Sequence, residues 1–141
     1  MDNIKLNFLH LCDAASVDSL GKINILGIFT KIYLQKVPSK FLKFTIVGNI
    51  SFQKLSESKL KIEIKIFDQN KIEVQIASPI ALEFKAPEKG KNNSGDINIV
   101  LDLGNIEFKS FGKYSLIVYA DGKELGNRSF LVEERVVEKK V

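Results

Sequence analysis

The sequence predicts an all-β fold, and three observations carry that prediction. The first is alternation. From Phe41 to Gln53 the even positions read Leu42, Phe44, Ile46, Gly48, Ile50, Phe52, and the odd ones Lys43, Thr45, Val47, Asn49, Ser51, Gln53. Successive side chains on a strand point to opposite faces, so this stretch has one oily face and one mostly polar face. The second is that no stretch of comparable length shows a helical period. The third is the turn signals, which recur every 8–12 residues or so, the spacing of a sandwich or barrel. Together they predict a single-domain, immunoglobulin-like antiparallel β-sandwich of about 8–9 strands. It would span residues 1–133, with a charged C-terminal tail over 134–141 that frays.

The elements follow in order. A first strand is expected from Ile4 to Asp13, apolar on both faces in its second half, where Leu9 and Leu11 alternate with Phe8, His10 and Cys12. Val17 to Lys22 reads as a turn. A second strand runs from Ile23 to Leu34, with Gly27 inside it marking a bulge or a close backbone approach. Val37-Pro38-Ser39-Lys40 breaks the run before the Phe41–Gln53 strand. Lys59 to Asp68 alternates Leu60, Ile62, Ile64, Ile66 against Lys59, Lys61, Glu63, Lys65. Asp68-Gln69-Asn70-Lys71 is a tight hairpin candidate in which Asn70 takes positive φ. Ile72 to Ile76 alternates again, Ser78-Pro79 interrupts, and Ile80, Leu82, Phe84 form a short strand. Ala86 to Asp96 is the one low-hydrophobicity stretch and reads as a mobile loop. Ile97 to Leu103 is a strand, Gly104-Asn105 a turn, and Tyr114 to Ala120 a strand. Asp121-Gly122 is the strongest short hairpin signal, and the last strand returns over Glu124 to Glu133. Gly112-Lys113-Tyr114 is a candidate tyrosine corner, in which the phenol bonds back to backbone a few residues upstream.

Composition excludes several classes. Of 141 residues, 45% are hydrophobic and ten are Phe, enough for a core. No apolar run is long enough to span a membrane as a helix, and the N-terminus has no signal-peptide pattern. The single cysteine, Cys12, precludes an internal disulfide and fits a cytoplasmic setting. The net charge of +4 comes from basic residues that are nearly all Lys, spread along strands. Nucleic-acid readers cluster their charge and favour Arg, so nucleic acid is disfavoured as a partner. Aromatic and basic residues interleave at Phe41, Lys43, Phe44 and at Phe108, Lys109, Phe111, Lys113, but Phe44 shares a face with Leu42 and Ile46, which is a core pattern.

No catalytic, metal or cofactor site is expected. His10 is the only histidine; His10 and Cys12, two apart on a strand, lie about 7 Å apart with parallel side chains. One His and one Cys make no zinc site, and no calcium-loop or P-loop pattern is present. Leu11 and Asp13 beside Cys12 favour a buried, inert thiol.

Two stretches carry a resemblance. One is Phe8-Leu9-His10-Leu11-Cys12-Asp13. The other is Gly21-Lys22-Ile23-Asn24-Ile25-Leu26-Gly27-Ile28-Phe29-Thr30. With Gly112, Tyr114, Asp121 and Gly122 near the other end, the chain resembles a widespread family of small bacterial proteins of uncharacterised function. The likeness implies a β-sandwich in a bacterial cytoplasm and no known activity. Where such proteins carry a proline-rich middle loop, this chain has Lys, Asn and Gly around Pro87. Physically, Asp13 and Asn24 suit a capped corner between the first two strands, and Gly27 admits a close neighbour. Asp13, Asn24, Gly27 and Phe29 are therefore the candidate interaction surface or structural corner. The expected function is that of a non-enzymatic module acting through protein contacts, with itself or another chain. The alternative is small-ligand or nucleic-acid binding through the Lys-rich strand faces.

Overall fold

The computed structural model describes residues 3–53, 59–76, 80–85 and 94–136. Nine strands occur among them, and no helix: β1 (Asn3–Val17), β2 (Ile23–Phe29), β3 (Lys31–Leu34), β4 (Ser39–Gln53), β5 (Lys59–Phe67), β6 (Ile80–Lys85), β7 (Gly95–Phe108), β8 (Gly112–Ala120) and β9 (Lys123–Glu134). They form two sheets, one ordered β2-β1-β4-β7 and the other β3-β9-β8-β5-β6. The core lies between them, and the architecture is an immunoglobulin-like β-sandwich.

Alternation builds this core where it is regular. On β5 the four inward residues Leu60, Ile62, Ile64 and Ile66 are fully buried, and on neighbouring β8 Tyr114, Leu116, Val118 and Ala120 line the same inner face. Two aromatic groups fill the larger spaces. Phe108, Tyr114 and Phe130 sit 5.2–6.2 Å apart, edge-on and stacked. Phe44 lies under Phe29 and Phe41 at 6.3 and 6.1 Å. Phe52 of β4 meets Phe84 of β6 at 5.3 Å, joining the two sheets.

Several expectations are corrected. The stretch Ile23–Leu34 is not one strand. The chain passes from the first sheet to the second at Thr30, so β2 pairs with β1 while β3 pairs with β9. The crossing switches the buried parity from Ile23, Ile25, Phe29 to Ile32, Leu34. The β3–β9 pair is parallel, an exception to the antiparallel expectation. Gly104-Asn105 is no turn: β7 runs straight through it, and Asn105 at φ 53° absorbs a switch of inward parity from Leu103 to Ile106. Leu42 stands beside that switch, paired across from the distorted residues, and is 81% exposed instead of sharing the core face with Phe44. A second slip, between Leu6 and Phe8, moves the core face of β1 from Ile4 and Leu6 to Leu9 and Leu11. Ile72–Ile76 forms no strand: it has an isolated bridge from Phe67 to Glu73, the Val74 amide donates to the Ile66 carbonyl, and the Ile72 carbonyl accepts from the Asp68 amide.

The turns owe their shape to aspartates. Asp18 Oδ1 accepts from the Leu20 and Lys22 amides at 2.8 and 2.9 Å. Asp68 Oδ1 accepts from the Asn70 and Ile72 amides at 2.8 and 3.0 Å in the same arrangement. The positive φ falls on the fourth residue of each turn, on Gly21 and on Lys71, and not on Asn70. Asp121 and Gly122 both take positive φ in the β8–β9 hairpin. Glu134 still belongs to β9, and the Arg135 amide bonds the Leu34 carbonyl. Ser78-Pro79, most of the loop expected over Ala86–Asp96, and tail residues 137–141 lie outside the described residues.

Candidate interaction surface

The first strand outruns its sheet. It leaves β4 after Cys12, opposite Thr45, and continues to Val17 paired only with β2. Asp13 and Gly27 face each other where it leaves. Gly27 has φ 69°, and a Cβ there would run into the Asp13 carboxylate and its Cβ. A side chain at position 27 is thus excluded twice, by backbone conformation and by the Asp13 side chain lying over it.

Beyond this bend the β1–β2 hairpin folds back over the outer face of the first sheet. The Asn98 side chain on β7 donates to the Gly21 carbonyl at the hairpin tip, 3.3 Å away. Asn98 stands opposite Asn49, on the far side of β4 from β1. This explains a feature the alternation of β4 does not. Val47 and Cys12 are completely buried yet belong to neither sandwich-core cluster. They form a thin second layer, under the hairpin, with His10 opposite Val47 and Phe8 stacked on His10 at 5.7 Å.

Two titratable groups lie in that layer. Burial, reinforced by the Arg128 guanidinium, lowers the His10 pKa below its ordinary 6.5. Its Nδ1 has no hydrogen-bond partner among the described residues. Burial, then the Asp13 carboxylate, raises the Cys12 thiol, whose Sγ lies 3.6 Å from the Thr45 carbonyl. That environment disfavours the thiolate a nucleophile needs. Thr45, the buried polar residue, bonds Asp102 at 2.6 Å. Because folded His10 resists protonation, the unfolded chain takes up the proton first as pH falls below 6.5. The His10 contribution to stability is complete above that pH and is lost on acidification. The denaturation midpoint should therefore decline between about pH 7 and 5, above the range where carboxylates titrate, and His10→Gln should flatten that decline.

The four candidate residues do not converge. Asp13 and Gly27 meet at the bend. Asn24 stands opposite Ser16, nearer the hairpin tip, on the exposed surface. Phe29 is half-buried against Phe44. Asp13, Phe29, Lys31, Tyr33, Phe41 and Arg135 line a shallow groove of about 280 Å³. Its mixed charges and lack of a base beside a nucleophile provide no catalytic constellation. No cluster of three metal-ligating side chains occurs among the described residues.

On the second sheet, where Gly112 pairs with Val132 and Val132 with Ile32, the Tyr114 hydroxyl donates to the Ser110 carbonyl at 2.8 Å, and Gly112 takes φ 133°. Tyr114→Phe removes the donor from a part-buried carbonyl and should cost about 1 kcal/mol in chemical denaturation.

What sequence reasoning missed is the apolar top of the hairpin. Val17, Leu20, Leu26 and Ile28 are 44, 79, 70 and 52% exposed. β2 itself, Ile-Asn-Ile-Leu-Gly-Ile-Phe, contains no charged residue, and its outer edge has no ladder partner among the described residues. The other edge strands are guarded: β3 by Lys31, β6 by Glu83 and Lys85, β7 by Asp96, Asp102 and Glu107. Lysines elsewhere are dispersed, five of them 3.6–3.7 Å from carboxylates at exposed or half-exposed positions, where such pairs add little stability.

The family of unknown function DUF6941 matches residues 7–133, and the chain belongs to it. No protein of curated function is similar in sequence. Among solved structures, the chain is similar to the alkylpurine DNA glycosylase AlkC of Pseudomonas fluorescens, bound to DNA containing an abasic site analogue. The identity is 13% and the TM-score 0.45, over 92% of this chain and 30% of the glycosylase. An immunoglobulin-like protein of Pseudomonas aeruginosa is 14% identical, with TM-score 0.39, over 93% of this chain and 97% of the other. A β-glucosidase of Listeria innocua in complex with isofagomine is 7% identical, with TM-score 0.45, over 97% of this chain and 17% of the enzyme. The chain thus spans under a third of the two enzymes, and at these scores none of the three bears on function.

Proposed function

We propose that this DUF6941 member is a non-enzymatic protein-interaction module whose contact surface is the β1–β2 hairpin and the free edge of β2. One observation carries the reading. Among the described residues, four of the nine exposed large apolar side chains sit on this single hairpin, beside an edge strand with no charge to deter pairing. Edge strands of this kind bind by strand addition, with backbone bonds giving affinity and alternate side chains giving selectivity. The groove beside Asp13 lies at the base of the same hairpin and extends the surface toward Tyr33.

The test is affinity capture from cell lysate with the wild type, Leu26→Lys, Ile28→Lys and, as control, Leu42→Lys. Leu42 is 81% exposed but lies on β4, outside the hairpin. The expected result is a protein partner, retained after nuclease treatment, that is lost from the two hairpin variants and kept by the control. Capture that is equal for all four proteins, or that vanishes with nuclease, would sink this reading.

A further inference from the structure

Resting on the reading of β2 as the contact strand, we propose that its occupant is a second copy of this chain. The two β2 strands would pair antiparallel about a two-fold axis at Leu26. The argument is self-complementarity. In that register Leu26 lies beside Leu26 of the copy, Asn24 beside Ile28, and Ile25 beside Gly27, so the exposed side chains of both strands share one face. No charged residue opposes another within β2, and Lys22, just outside it, falls opposite Thr30. The same operation on β7 would crowd Asp96, Asp102 and Glu107 of two copies along one seam, and β3 offers only four residues to pair. A strand that reads no charge selects an uncharged, β-prone strand, and β2 is one. Pairing joins two four-stranded sheets into one of eight.

The dimer is reversible. The bend at Gly27 shortens the regular edge, and one strand pair with its apolar side chains buries less than the roughly 1,600 Å² of a standard interface. Both copies carry +4, so added salt screens their repulsion and strengthens association. Phosphate binding would weaken with salt instead.

The experiment is sedimentation equilibrium of the full chain over a concentration series, at low and high salt, for the wild type, Leu26→Lys and Asn24→Lys. Both positions are exposed, so at least one variant should fold, as judged by thermal unfolding. The expected result is a wild-type mass that rises toward twice the monomer, sooner at high salt, while the folded variants stay monomeric. A wild type that stays monomeric, or folded variants that still dimerise, would overturn the proposal. A monomeric wild type whose captured partner is lost on Leu26→Lys removes only the self-pairing. Capture that is also indifferent to Leu26→Lys removes the interaction reading with it.

Discussion

Phe44→Ala is expected to lower the unfolding free energy by about 3–5 kcal/mol, a large share of the 5–15 kcal/mol typical of a domain. Phe44 is fully buried, with the rings of Phe29 and Phe41 packed against it. Truncation loses the transfer energy of the ring and leaves a cavity that strand backbones cannot close. Phe29 also ends β2, immediately before the chain crosses to the second sheet, so the base of the hairpin should loosen along with global stability. Urea denaturation measures the first effect, and faster amide exchange in β2 the second. Leu42→Ala, two residues away, is the internal control. At 81% exposure it should change stability by no more than about 0.5 kcal/mol. Equal losses at 42 and 44 would mean that the parity switch at Asn105 is wrong.

Gly27→Val should cost about 3 kcal/mol. Holding a β-branched residue at φ 69° takes about 1–3 kcal/mol, and the new side chain must also displace the Asp13 carboxylate from above the backbone. The two parts separate by a double-mutant cycle. Asp13→Ala should recover the steric part in the Gly27→Ala background and leave about 1–2 kcal/mol for the backbone. No recovery would show that Asp13 does not lie over Gly27. Gly126 provides a contrast. A Cβ there would meet the flexible end of Leu6 at 2.6 Å, which can move aside more readily than a carboxylate at a bend.

Much of the fold was legible in the sequence because period-2 alternation and turn chemistry are local. β5 and β8 alternate without a break, and the Asp121-Gly122 hairpin follows from two residues that tolerate positive φ. The errors gather where a single residue shifts the parity, as between Leu6 and Phe8, at Thr30 and at Asn105. A one-residue slip moves every later side chain to the other face, and nothing in composition announces it. The hairpin was hidden for a related reason. Ile23, Ile25 and Phe29 alternate with Leu26 and Ile28, so both faces are apolar, a pattern shared by an interior strand and by one with an exposed sticky face. Asp13 and Gly27 were visible as a pair worth naming. That they form the bend of a folded-back hairpin required the partner strands.

The most direct test of the contact surface is amide hydrogen exchange read residue by residue at low and high protein concentration, for the wild type and Leu26→Lys. Slowing confined to Ile23–Phe29 at high concentration, absent in Leu26→Lys, is the predicted result. Slowing along β7 or β6 instead, or slowing in β2 that Leu26→Lys leaves intact, would contradict it.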